Sequence, residues 1–224
     1  MTTLEDLKAY CKGKKIIIVG NCSDLLNEHG AANNAKLIDS YDIVVRINRG
    51  YHYKQQLYDN YIGSKTSILS LGVQTAQQAY IIVGGNSVDY ILSPIIYSEN
   101  LDYSNVYDIS KDTYDTLKKL LDNNKPSTGI STYNFFNRFI DFERLDLIGF
   151  DFFESSVRQR NQLGHTKVSD HNGNKELAFF KDSCDPEKTK LYKLSKTNNH
   201  SRLRTNIPIH NTDNQFFFKN NNRR

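Results

Sequence analysis

Four short segments hold most of the residues whose types could do chemistry. Three follow apolar runs: Gly20-Asn21-Cys22-Ser23 after Ile16-Ile17-Ile18-Val19, Asn48-Arg49-Gly50 after Ile43-Val44-Val45-Arg46-Ile47, and Gly149-Phe150-Asp151 after Leu145-Asp146-Leu147-Ile148. The fourth, Pro126-Ser127-Thr128-Gly129, stands where a helix is expected to begin. Free backbone N–H groups at a helix start, with Ser and Thr hydroxyls beside them, suit a phosphate or a carboxylate. The same Ser-Thr pair taken alone is also an ordinary helix cap. A longer polar stretch, 154–174, adds Arg158, Arg160, Gly164, His165 and His171. An imidazole titrates near neutrality and can carry a proton in a reaction, although a loop histidine is as often only a surface residue.

Several familiar chemistries are missing. Val19-Gly20-Asn21-Cys22 lacks the glycines of a GxGxxG turn, and no GxxxxGK[ST] occurs. There is no Asp-x-Asp, the carboxylate pair that holds a divalent metal on a nucleotide diphosphate. A nucleotide would have to be held by amides, hydroxyls and histidine, which suits a monophosphate. Cys11, Cys22 and Cys184 are odd in number and lie in no zinc-ligand spacing, so neither a disulfide framework nor a structural zinc site is expected.

The elements that must position these segments follow from hydrophobic patterning. Continuous apolar runs at 16–19, 42–48 and 145–150 predict strands buried on both faces of a parallel sheet. Further strands are expected at 67–71, 79–83 and 90–96, with helices over 4–11, 30–38, 111–122 and 129–140. Asp185-Pro186 pairs a capping residue with proline at a first helical position, predicting a helix to about 196. Strands alternating with helices argue for an α/β, Rossmann-like, mostly parallel sheet with helices on both faces. In such sheets ligands bind beyond the carboxyl ends of the strands, where the first three segments stand. The polar stretch 154–174 is expected to be a mobile lid over that site.

Composition agrees with one globular unit. The chain has 224 residues, of which 38% are hydrophobic, and 14 Tyr and 12 Phe supply bulk for a core. No apolar run reaches a membrane span, and the first residues lack a signal-peptide core, so a cytoplasmic protein is expected. Residues 186–224 hold nine Lys and Arg against Glu187 and Asp213, a net +7. With Phe216-Phe217-Phe218 nearby, that end could meet an anionic membrane surface, or the charges could simply be solvated. No RNA-recognition motif is present, so nucleic acid is not an expected partner.

Taken in order, the motifs resemble those of glycosyltransferase family 29, the sialyltransferases. Lys15-Ile16-Ile17-Ile18-Val19-Gly20-Asn21-Cys22, followed by Ile38-Asp39-Ser40-Tyr41-Asp42 and Arg46-Ile47-Asn48, is similar to the large sialylmotif. Pro126-Ser127-Thr128-Gly129-Ile130 with Ile148-Gly149-Phe150 resembles the small one, and His171 to Glu176 has the His-x4-Glu spacing of the very small one. The resemblance implies a variant GT-A-like sialyltransferase fold. It also implies metal-free, inverting transfer of sialic acid, or a related nonulosonate, from its cytidine monophosphate (CMP) conjugate to a glycan or glycolipid hydroxyl. No cofactor beyond that donor substrate is implied.

By the same resemblance His171 is the general base, with Glu176 beside it as a catalytic or supporting residue. Gly20, Asn21, Asn48, Ser127, Thr128, Gly129 and Gly149 form the donor-binding set. His165, six residues before His171, stands for the family's third motif at the donor phosphate. Animal members join a Cys of the large motif to one in the small motif; residues 126–150 contain no Cys. A short microbial or viral-type member is the expectation, with residues 1–215 as the transferase domain and 216–224 as a flexible basic tail. Another CMP-ulosonate donor, such as 3-deoxy-octulosonate, or a CMP-binding module without catalysis, stays open at this point.

Overall fold

The run Ile16-Ile17-Ile18-Val19 forms, with Lys15, the strand β1 (Lys15–Val19). The structure is a computed structural model that describes residues 2–26, 31–48, 59–72, 88–93, 105–153 and 171–194. Flanking β1 are β2 (Ile43–Ile47) and β6 (Arg144–Ile148), both parallel to it, with Ile17 opposite Val44 on one side and Asp146 on the other. Beyond β2 lie β3 (Ile68–Ser70), β4 (Tyr90–Ser93) and β5 (Val106–Asp108); beyond β6 lies β7 (Leu191–Tyr192). The seven strands run in the order β5-β4-β3-β2-β1-β6-β7, and every pairing is parallel.

The helices in chain order are α1 (Leu4–Cys11), α2 (Ala31–Asp39), α3 (Asp59–Ile62), α4 (Ser110–Leu120), α5 (Thr128–Phe139) and α6 (Gly173–Ser183). Alternate residues of a strand face opposite sides, and the core divides accordingly. Ile16, Ile18, Val45, Leu145 and Leu147 meet Leu7 of α1, Leu117 of α4, Phe136 of α5 and Phe180 of α6. Ile17, Val19, Val44 and Ile148 meet Ile38 of α2 and Ile62 of α3 on the opposite face. This is the α/β architecture expected from the sequence, helices on both faces included.

Arg46 is the exception to an apolar β2 and is 1% exposed. Its guanidinium donates to the carbonyls of Ile62 and Gly63 at 2.8 and 2.9 Å and, through Nε, to Thr66 Oγ1 at 2.9 Å. It therefore pins the chain between α3 and β3 to the sheet. Burial lowers its pKa to about 10, with Asp39 and Asp59 acting the other way, so the group stays charged at neutral pH.

One expected element is absent. The helix expected from Asp185 to about 196 does not form over its described part, 185–194: Asp185 closes a single turn, its carboxylate accepting from Glu187 N at 2.9 Å and its carbonyl from Thr189 N at 2.8 Å. The chain then straightens into β7. The capping signal at Asp185-Pro186 was real but local, and a short helix needs packing to persist. Here the sheet edge offers more: Lys190 N donates to Asp146 Oδ1 at 2.8 Å, and the Tyr192 and Tyr41 hydroxyls meet at 3.1 Å. Strand β5 and helix α3, three and four residues long, were not expected from the sequence. The expected strand at 79–83, residues 154–170 of the expected lid 154–174 and the tail 216–224 lie outside the described residues, and the last residues of that lid segment begin α6. No helix among the described residues is long and apolar enough to cross a membrane.

Candidate active site

From β1 the chain builds outward through β2 to β5 and then returns to β6 on the other side of β1. Such a reversal opens a crevice at the carboxyl ends of the two strands that flank it. Gly20 and Gly149 follow those two strands and meet backbone to backbone. Gly20 N donates to Ile148 O at 2.8 Å and Cys22 N to Gly149 O at 3.1 Å. A Cβ on Gly20 would overlap the Gly149 carbonyl, and Gly149 itself has φ +75°. Only glycine permits both the approach and the backbone conformation. Asn21 then reaches sideways, Nδ2 donating to Ile47 O at 3.1 Å, and ties the end of β1 to that of β2. Cys22 beside it is buried, which pushes its thiol up to about 12 and keeps it neutral.

Asn48, at the end of β2, has φ +52°, a conformation asparagine tolerates better than most residues. Its amide bridges two further elements: Oδ1 accepts from Gly72 N at 2.7 Å, and Nδ2 donates to Thr128 Oγ1 at 3.2 Å. Thr128 is the first residue of α5, which Ser127 caps by accepting from Ile130 N at 3.3 Å. The N-terminal half of α5 is buried, and Thr132 within it is paired twice: it donates to Thr128 O at 2.7 Å, and Ser70 Oγ meets Thr132 Oγ1 at 2.6 Å.

Glu176 lies in the first turn of α6 and is 3% exposed. Its Oε1 accepts from Ser127 N at 2.8 Å and its Oε2 from Ser127 Oγ at 2.7 Å. A carboxylate thus sits at the start of α5, a position the helix dipole favours. Burial nonetheless pushes its pKa up from an ordinary 4.5 to about 7, with the two Ser127 hydrogen bonds pulling the other way. The arrangement also commits both Ser127 donors. The amides of Thr128 and Gly129, in the first turn of α5, have no acceptor within the helix itself.

His171 precedes α6, whose cap is Asn172, with Asn172 Oδ1 accepting from Lys175 N at 3.2 Å. Its Nδ1 lies 2.8 Å from Lys125 O. A carbonyl only accepts, so Nδ1 carries the proton and Nε2 is the basic nitrogen. One face of the imidazole stacks on Phe153, with centroids 5.4 Å apart and planes at 23°. Phe152 and Phe153 are both left-handed, at φ +49° and +68°. Each such residue costs about 1–3 kcal/mol and persists only where its surroundings over-determine it.

The structure therefore brings Gly20, Asn21, Asn48, Ser127, Thr128, Gly129, Gly149, His171 and Glu176 to one end of the sheet, around the carboxyl ends of β1, β2 and β6 and the start of α5. His165 lies outside the described residues. Among the described residues no three His, Cys, Asp or Glu side chains converge as metal ligands. Sequence reasoning missed Gly72, the Lys125 carbonyl and Phe153. A backbone carbonyl leaves no mark in residue type; the signal for Phe153 was Asp151, whose Oδ1 accepts from Phe153 N at 3.1 Å and shapes the turn.

No family model matches this sequence, and no curated protein matches it. Among solved structures the chain is similar to a mammalian sialyltransferase crystallised with Gal-beta-1-3GalNAc-ortho-nitrophenol. The likeness covers 83% of this chain and 70% of that one, at 16% identity and a TM-score of 0.50. The two proteins share a fold.

Proposed function

We propose that the chain is an inverting glycosyltransferase that moves sialic acid, or a related nonulosonate, from its CMP conjugate to a glycan hydroxyl, with His171 as general base and without a metal. The observation that carries this reading is the crowding of three distant groups onto residues 125–129. His171 holds the Lys125 carbonyl, Glu176 holds Ser127, and Asn48 holds Thr128. The shared fold with a sialyltransferase and the order of the sialylmotif-like segments support the same reading.

In this mechanism the amides of Thr128 and Gly129, at the positive end of α5, take the negative charge of the donor. Asn21 and Asn48 line the nucleotide side. Ser127 acts indirectly, by fixing the start of α5 through Glu176. A sugar hydroxyl is a weak nucleophile, so Nε2 of His171 removes its proton as the oxygen bonds to the anomeric carbon. The bond from that carbon to the CMP phosphate breaks on the opposite face, and CMP leaves with the bonding pair. Charge growing on the departing phosphate is stabilised by the helix start, which needs no reorganisation during the step.

The test is hydrolysis and transfer with CMP-sialic acid against CMP-octulosonate, with and without lactose. Turnover is expected, and the preferred donor identifies the sugar. His171→Ala should lower kcat by about 10²–10⁴-fold with little change in CMP affinity, whereas Asn21→Ala should weaken CMP first. Binding of CMP without turnover would make the protein a binding module, and absence of CMP binding would overturn the reading.

A further inference from the structure

We propose that Phe153 is a positioning residue for the base: its ring fixes the plane of the His171 imidazole so that Nε2 points into the crevice. The inference rests on His171 being the base. The hydrogen bond from Nδ1 to Lys125 O, 2.8 Å long, holds one atom of the ring but tolerates some rotation of its plane about χ2. A flat partner against the ring face removes that rotation. Phe153 supplies one at 5.4 Å and 23°. An aliphatic side chain could fill the volume but would not define a plane.

Phe153 is itself held for this placement. It and Phe152 adopt left-handed conformations that bulky side chains rarely take. The turn is braced on three sides. Phe153 N donates to Asp151 Oδ1 at 3.1 Å. The Phe152 ring packs against Phe150 and Phe180, with centroids 6.4 and 6.1 Å away. The Phe152 carbonyl lies so close to Gly173 that any Cβ there would overlap it. The last contact locks the turn to the first residue of α6, two positions after His171. The base and the ring that orients it therefore move as one body. When Nε2 takes a proton the imidazole becomes a cation, and an aromatic face beside it favours that state.

The experiment compares Phe153→Leu, which keeps apolar bulk, with Phe153→Tyr, which keeps the ring. Phe153→Leu should lower kcat about three- to tenfold with donor KM unchanged, and Phe153→Tyr should stay near wild type. A second readout needs no turnover: NMR of the His171 ring. The upfield ring-current shift of its carbon-bound protons, and a single Nδ1–H tautomer by nitrogen shift, should survive in Phe153→Tyr. In Phe153→Leu the upfield shift should vanish and the signals of the carbon-bound protons broaden, with Nδ1 still protonated against Lys125 O. Equal loss of kcat in both variants, or a matching rise in KM, would overturn positioning in favour of general damage. Lost ring-current shift with normal kcat would overturn it as well. If no donor is turned over by any form, the proposed function fails separately, and unchanged His171 signals in Phe153→Leu would overturn the positioning role alone.

Discussion

Replacing Glu176 by Gln should change how stability depends on pH, more than it changes stability itself. In the unfolded chain this carboxyl releases its proton near an ordinary 4.5; in the folded protein burial delays that to about 7. Between those values the folded state holds a proton that the unfolded state has lost. Stability from this group is complete below pH 4.5 and falls as pH rises to 7, by about 1.4 kcal/mol per unit. Across the interval the loss is about 3 kcal/mol, equivalent to roughly 6–12 °C in Tm for a domain of this size. Glutamine removes the titration and keeps the geometry: its oxygen can accept from Ser127 N, and its amide can donate to Ser127 Oγ. Urea unfolding of both proteins at pH 4.5, 6, 7 and 8 isolates the effect, because all other groups titrate alike in the two and cancel in the difference. The stability of Glu176→Gln relative to wild type should rise by about 3 kcal/mol over that range. Parallel curves would refute the burial argument. A relative fall with pH would show that the two Ser127 hydrogen bonds outweigh burial.

Two further outcomes follow from other parts of the molecule. Arg46→Met should lower unfolding stability by about 3 kcal/mol, since it orphans the Ile62 and Gly63 carbonyls and Thr66 Oγ1 together; an unfolding free energy within about 0.5 kcal/mol of wild type would refute that role. Transferase turnover should survive EDTA, because the sequence has no Asp-x-Asp; a loss restored by magnesium or manganese would refute metal-free transfer.

The layered architecture follows from local patterning alone. The apolar runs of β1, β2 and β6 have no stable place except between two layers of helices, and their length and ends are local properties. The cap at Ser127 was legible for the same reason, since a hydroxyl before an apolar periodic segment satisfies a need that exists wherever the helix forms. Whatever depends on which groups meet came only with the folded chain. Glu176 reaches Ser127 across 49 residues and His171 reaches Lys125 across 46, and no local pattern encodes either distance. The failed helix after Asp185 shows the same division. Its starting signal was correct for one turn, but the open edge of β6, with Asp146 ready to accept from Lys190 N, offered the backbone a better partner. Propensity is a sum over neighbours in sequence, whereas the final pairing of backbone and charge is settled by neighbours in space.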